Sequence, residues 1–339
     1  MSLDADTLAR IRLSPTCLCW KRAADLTPEL RVRQGTFKND AGNALSYSAV
    51  FPPADTSTLR GVVVFLHGVN EHSERYLHVF EALCLEGFGA ITYDLRSHGK
   101  SHMDVDGLRG HYNEFASLVS DTNAFVSFAK KELLPSLIPK HEDSAHDVPL
   151  LLMGMSLGTL VACHAVLSAQ HTFHALVLVA PAVSVEMTPV LHVLKLVSLV
   201  LRTLAPRARL VPGVAQQWVC RDPLVNLDFA ADPLTTNEKI TCLAGHTTLR
   251  AMEQLQRDPR VEQPDSALSV LPVLMLMGSL DRVTSLPLAR QFFERLASRD
   301  KTFVEIDGAY HVLFDDPERA RVLRELVSWL HERFPAQPL

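Results

Sequence analysis

A serine hydroxyl becomes a strong nucleophile only when a base takes its proton and a carboxylate orients that base. The 339-residue chain carries these three residue types in an order that fits such a unit. Gly154-Met155-Ser156-Leu157-Gly158 matches the pattern G-x-S-x-G. Alone the pattern is weak, since a chain of this length shows one by chance with odds of roughly one in ten. Its flanks give it weight: the apolar run Pro149-Leu-Leu-Leu-Met precedes it, and a helical stretch from Leu157 to Ala169 follows. A sharp strand-to-helix turn would lift the Ser156 hydroxyl above a sheet edge, with glycines where side chains would collide. The helix N-terminus would add free N–H groups and partial positive charge beside a developing oxyanion.

Fifteen histidines compete for the role of base. If the chain order is serine, acid, histidine, only His311 and His331 are left beyond the acid. His331 falls on a closing amphipathic helix and reads as a solvated surface residue, whereas His311 ends the loop Asp307-Gly-Ala-Tyr-His. His311 is therefore the expected base. Asp281, in Gly278-Ser-Leu-Asp-Arg just after the run Val273–Met277, is the expected acid; Asp300, Asp307 and Asp315 fit turn or cap roles better. The loop His67-Gly68-Val69 is expected to supply a second oxyanion donor, the Val69 N–H, beside that of Leu157. His67 reads as structural.

Apolar, β-rich runs alternate with helical patterns on either side of these residues. A hairpin is expected over Phe37 to Phe51, turning at Asn39-Asp-Ala-Gly42. Gly61–Leu66, Gly89–Tyr93, Pro149–Met153, Ala175–Ala180, Val273–Met277 and Thr302–Ile306 read as strands. Helices are expected over about Arg75 to Glu86, Asn113 to Leu133, and Pro317 to Phe334. Strands alternating with helices imply a mostly parallel, twisted sheet flanked by helices on both sides. From Val148 to Val185 the chain has no Asp, Glu, Lys or Arg. A Gly-rich turn interrupts that run, so buried strands fit better than a membrane span.

Between Ala182 and Ser269 the alternation stops and the texture is helical, punctuated by Arg221-Asp-Pro, Ala231-Asp-Pro and Arg257-Asp-Pro. We therefore expect an N-terminal extension over 1–34, a core over 35–181 and 270–339, and a helical cap, or lid, over 182–269. Thr188-Pro189 would start a helix. From Pro189 to Leu201 nine of thirteen residues are aliphatic, while His192, Lys195 and Arg202 share a narrow polar stripe. Such a helix is too short and too charged to span a bilayer, and suits a lipid surface or a cover over an acyl-chain tunnel. Leu196 and Val200 are the expected membrane contacts. The competing reading has the same apolar face packing on the core.

Composition narrows the function classes. With 33 basic and 38 acidic residues the net charge is −5, which gives no basis for nucleic-acid binding. The six cysteines form no C-x-x-C pair, so neither a zinc site nor a disulfide scaffold is expected, and free thiols point to a reducing compartment. Cys17 and Cys19 fit a partly buried N-terminal segment better than acylation. The acidic start Met1-Ser-Leu-Asp-Ala-Asp, with no apolar stretch behind it, reads against a signal peptide. A cytoplasmic protein with peripheral membrane contact is the expected setting; its oligomeric state stays open.

Five motifs together resemble the monoacylglycerol lipases, a lysophospholipase-like branch of the α/β-hydrolases. They are His67-Gly-Val-Asn-Glu-His-Ser-Glu-Arg-Tyr76, Tyr93-Asp-Leu-Arg-Ser-His-Gly-Lys-Ser101, Gly154-Met-Ser-Leu-Gly158, Gly278-Ser-Leu-Asp281 and Gly308-Ala-Tyr-His-Val-Leu313. The resemblance runs from about residue 35 to 333 and is thin through the insertion. It implies an α/β-hydrolase fold with a helical cap, Ser156, Asp281 and His311 as a catalytic triad, Val69 and Leu157 as oxyanion donors, and no cofactor or metal. It also implies that Glu71 and Arg75 help to seat a glycerol head group, although a surface ion pair would suit them equally. Two positions depart from the family: Asn70 replaces a glycine, and Phe314, expected with Glu71 and Arg75 to contact the substrate, stands where a second histidine lies near the glycerol site. The implied activity is acylglycerol ester hydrolysis through an acyl-enzyme. A lysophospholipase, a general carboxylesterase and an S33-type peptidase share the same machinery. A non-catalytic binding protein of this fold would usually lack one member of the triad.

Overall fold

The computed structural model describes residues 6, 9, 10, 12, 17–54, 59–138, 148–184, 189–212 and 214–336. Eight strands make one sheet in the order β1-β2-β4-β3-β5-β6-β7-β8. They are β1 Arg31–Lys38, β2 Ala44–Phe51, β3 Gly61–Leu66, β4 Phe88–Tyr93, β5 Leu150–Met155, β6 Ala175–Val179, β7 Val273–Gly278 and β8 Lys301–Ile306. β1 and β2 pair antiparallel through the expected turn, β2 meets β4 antiparallel, and every later pairing is parallel. β3, β5, β6 and β7 hold only apolar residues and glycine, because helices cover both faces and remove the polar alternation of a half-exposed sheet. Along β3, Val62, Val64 and Leu66 join one core cluster, while Val63 and Phe65 join the other.

The first cluster is closed by α2 (Phe115–Phe128), α3 (Leu157–Leu167), α6 (Cys242–Arg257) and α7 (Leu286–Arg295). α2 runs on through a π-helical turn, Ala129–Leu133, so the helix extends as far as the periodicity predicts. The second cluster is closed by α1 (Leu77–Leu85) and α8 (Arg319–Arg333). α1 begins two residues later than its pattern implies, because Ser73–Tyr76 is wound as a tighter 3₁₀ turn.

The N-terminal boundary needs correction. A division between residues 34 and 35 would cut through β1, and Cys17, Cys19, Leu26 and Leu30 are buried in the second core cluster. From Cys17 onward this segment is therefore packed core. All six cysteines are buried and none is in a disulfide.

Between β6 and β7 the chain leaves the sheet for α4 (Pro189–Leu204), a 3₁₀ turn at Gln216–Trp218, α5 (Pro223–Ala231) and α6. Among its described residues the β content is a single isolated bridge, Val211 to Ile240. The N-cap expected at Thr188 lies outside the described residues. Among the described residues no helix is long and apolar enough to cross a membrane.

Candidate active site

Ser156 sits in the tight turn between β5 and α3, with φ 49° and ψ −118°. An L-residue rarely adopts that conformation, and it persists only where neighbours over-determine it. The flanking glycines are that determination. A Cβ on Gly154 would lie 2.5 Å from the Gly158 carbonyl, and one on Gly158 would collide with the Leu66 carbonyl. The Ser156 N–H donates to the Val179 carbonyl at 3.0 Å, fixing the turn to β6.

His311 reaches this serine from the loop after β8, with Nε2 3.0 Å from Ser156 Oγ. Its Nδ1 lies 2.8 Å from Asp281 Oδ2, in the loop after β7. A carboxylate can only accept, so Nδ1 carries the proton and Nε2 is left to accept from the serine hydroxyl. The two loops come close because Gly278 has no side chain; a Cβ there would lie 2.5 Å from the Ala309 and Tyr310 carbonyls. Burial pushes the Asp281 carboxyl up. The adjoining His311 charge, its hydrogen bond, and the amides of Thr284 and Val283 outweigh that and hold it below the ordinary carboxylate value.

The loop 67–76 forms the other wall. Burial lowers His67 to about 3 despite its bond to the Gly68 carbonyl. Its Nε2 accepts the Leu95 N–H at 2.9 Å, so it is a neutral structural residue as expected. Asn70 takes φ 65°, the left-handed conformation that asparagine tolerates better than most side chains. Glu71 Oε1 accepts from the Gly68 N–H at 2.5 Å and from the Tyr76 hydroxyl at 2.8 Å. Burial raises the Glu71 carboxyl, against lowering by the Tyr76 and Gly68 bonds and the Arg75 charge.

The alternative of a surface ion pair between Glu71 and Arg75 does not hold. Both are buried, and Arg75 turns to the insertion instead. Its Nη1 donates to Asp228 Oδ2 at 2.9 Å and Asp232 Oδ2 at 3.3 Å, and its guanidinium lies 5.1 Å from the Phe229 ring centre. His72 Nε2 lies 2.8 Å from the same Asp232 oxygen. These two aspartates are the residues that reading the sequence missed. Asp232 belongs to one of the three Asp-Pro steps, which announce only a turn, and its partners lie 157 and 160 positions away.

Ser156 stands where two cavities meet. A narrow one of about 50 Å³ is bordered by Glu71, Arg75, Asn226, Asp315 and His311. A wide one of about 610 Å³ runs beneath the insertion past Leu157, Leu201, Trp218, Ile240 and Met252. Val69 borders both, and Leu157, the first residue of α3, has an N–H without an intrahelical partner. Phe314 requires correction as a substrate-contact candidate. It is fully buried, packs edge-on against Tyr76 with centroids 6.3 Å apart, and borders neither cavity.

Most of the apolar side chains described on α4 face solvent and do not pack on the core. Leu196 is 83% exposed and Val200 55% exposed, with Val193, Leu199 and Leu204 also exposed. The polar stripe turns inward instead: Lys195 Nζ meets Glu253 Oε1 at 2.6 Å, and Arg202 lies 3.4 Å from His246, both on α6. Lys195 therefore sits at the wall of the wide cavity.

Residues 57–318 match the family described as serine aminopeptidase, S33. A monoacylglycerol lipase of Mycolicibacterium smegmatis is 30% identical over 295 residues, covering 87% of this chain and 95% of the relative. The crystal structure of a monoacylglycerol lipase from Paleococcus ferrophilus superposes with a TM-score of 0.67 at 28% identity, covering 85% of this chain and 99% of the other. A soluble variant of the Saccharomyces cerevisiae monoglyceride lipase, solved with a substrate analog, shares the fold with a TM-score of 0.75 at 18% identity, covering 91% of this chain and 97% of the other.

Proposed function

The chain belongs to the serine aminopeptidase S33 family of α/β-hydrolases, and from that footing we propose that it hydrolyses carboxylic esters of monoacylglycerol-like lipids. The observation that carries this reading is the position of Ser156 at the junction of a wide, mainly apolar cavity and a narrow one whose wall carries Glu71, Arg75, Asn226 and Asp315. The wide cavity lies within the roughly 300–1,000 Å³ range of small-molecule sites and suits an acyl chain. The narrow one, with Glu71 and Arg75 in its wall, suits a small polyol leaving group.

In this reading the Ser156 hydroxyl gives its proton to His311 Nε2 as its oxygen attacks the ester carbonyl. The N–H groups of Val69 and Leu157 hold the oxyanion. Asp281 keeps the Nδ1 proton in place and stabilises the imidazolium that forms. His311 then protonates the departing glycerol oxygen, leaving the acyl group on Ser156. A water, deprotonated by His311, attacks that acyl-enzyme and restores the serine.

The apolar face of α4 gives the protein a transient contact with the lipid surface through Leu196 and Val200, from which the acyl chain enters beneath the cap 182–269. Buried thiols without disulfides fit a cytoplasmic setting with peripheral membrane contact.

The test is a hydrolysis panel of 1- and 2-monoacylglycerols, lysophosphatidylcholine, p-nitrophenyl esters and an aminoacyl amide, run with the wild type and Ser156→Ala. Monoacylglycerols should be the best substrates. The variant should lose about 10⁴-fold or more in kcat. Faster turnover of the amide or of lysophosphatidylcholine would overturn the substrate class, and residual activity near wild type would overturn the nucleophile.

A further inference from the structure

We propose that Thr284 is a positioning residue for this hydrolysis, its hydroxyl locking the oxygen of Asp281 that His311 uses. The inference rests on the reading of Ser156, His311 and Asp281 as a triad. The two oxygens of Asp281 are held differently. Oδ1 accepts two backbone N–H groups, from Val283 at 2.7 Å and Thr284 at 3.0 Å. Oδ2 has no backbone partner among the described residues; it faces His311 Nδ1 at 2.8 Å and the Thr284 hydroxyl at 2.8 Å. The only other acceptor recorded for that hydroxyl is Met277 Sδ at 3.9 Å, a much weaker one, so its proton goes to the carboxylate.

The torsion that turns an aspartate carboxylate about its Cβ–Cγ bond is broad, so donors, not rotamer wells, must fix the plane of the group. With Oδ1 pinned on one side, Thr284 supplies the second fixed donor on the other. His311 cannot serve as that fixed point, because its protonation state and its bond to Ser156 change during each turnover. Thr284 is buried and borders the wide cavity, so it stands between the acid and the space assigned to the acyl chain. Removing its hydroxyl frees the carboxylate to tilt, and the imidazole then meets the serine at a poorer angle in the transition state while substrate binding is untouched.

The test compares Thr284→Val, which keeps shape and deletes the hydroxyl, with Thr284→Ser, which keeps the hydroxyl and deletes the methyl. The full chain is assayed with a p-nitrophenyl ester, with active sites counted by a fluorophosphonate probe. Thr284→Val should lower kcat about 10- to 100-fold, the worth of one hydrogen bond to a charged group, with KM changed less than about threefold. Thr284→Ser should recover at least half of the wild-type kcat. The downfield proton resonance of His311 Nδ1–H should shift in the valine variant and return in the serine variant. Should Thr284→Val fail to fold, Thr284→Ala takes its place against the same serine control. A kcat within twofold of wild type for the hydroxyl-free variant, or equal losses for valine and serine, overturns the proposal. If Ser156→Ala itself remains active, the triad reading has failed; if only that variant is inactive and Thr284→Val is unimpaired, the role of Thr284 alone has failed.

Discussion

Helices α4 and α5 belong to one insertion, yet they are bound to the rest of the molecule by opposite means. α5 and the turn after it reach the loop 67–76 through buried polar contacts: the ion pairs of Arg75 with Asp228 and Asp232, and the hydrogen bond between His72 and Asp232. Backbone ties add to this, with the Thr236 N–H donating to the Asn70 carbonyl at 3.0 Å. α4 is held through Lys195 and Glu253, where the lysine side chain is 45% exposed, and turns its apolar residues to solvent. One half of the insertion thus walls the narrow pocket. The other half is joined to its neighbour by an exposed ion pair, and such pairs contribute about 0–1 kcal/mol.

Four measurements can break this contrast. The largest effect is expected from Arg75→Met, which leaves two buried aspartates without their cation; urea unfolding should show a loss of about 3–5 kcal/mol. A loss below 1 kcal/mol would mean that α5 is no better fastened than α4. Acid should come next. His67 and His98, in the loops beneath α5, are both lowered by burial to about 3. Between about pH 6.5 and pH 3 the unfolded chain binds protons that these folded histidines refuse. Stability should therefore fall as pH drops through that window, by up to about 2 kcal/mol for each at pH 5. Asp232, held well below its ordinary value by His72 and Arg75 against the opposing effect of burial, keeps its contribution until more acidic pH than a normal aspartate. Urea midpoints equal at pH 7 and pH 5 would contradict the histidine assignment.

On the α4 side, Leu196→Asp with Val200→Asp should weaken liposome binding by about tenfold or more, given about 1.5–3 kcal/mol for each fully buried aliphatic side chain. Folding stability should change little, since neither side chain is packed. Unchanged sedimentation with liposomes would remove the lipid-surface reading of α4. The smallest effect is expected from Lys195→Ala, below about 1 kcal/mol in the same unfolding assay.

The same contrast marks what could be read in the sequence. The turn at Ser156 is local, so a strand run, two glycines and a helix start announce it within ten residues. His311 and Asp281 follow because each comes directly after an apolar strand run whose C-terminal end the fold brings to one edge. The pairing of Arg75 with Asp228 and Asp232 has no such signature, since it depends on how an insertion folds back over more than 150 positions. Phe314 was misjudged as a substrate contact because position relative to His311 says nothing about which way the next turn points. For α4, periodicity reveals an apolar stripe and a polar stripe but not which one faces outward; that is decided by Glu253 and His246 on a helix some fifty residues later.

The backbone of Ser156 carries one more consequence. At φ 49° a glycine would sit without strain, whereas serine holds that geometry against its own preference. Ser156→Gly should therefore yield a protein that is inert toward esters and yet melts later than the wild type, by on the order of 1 kcal/mol. Selection for thermal robustness alone would drift toward that inactive form. On the proposed mechanism, Ser156 is a point at which heritable function is maintained against the fold's own thermodynamic optimum.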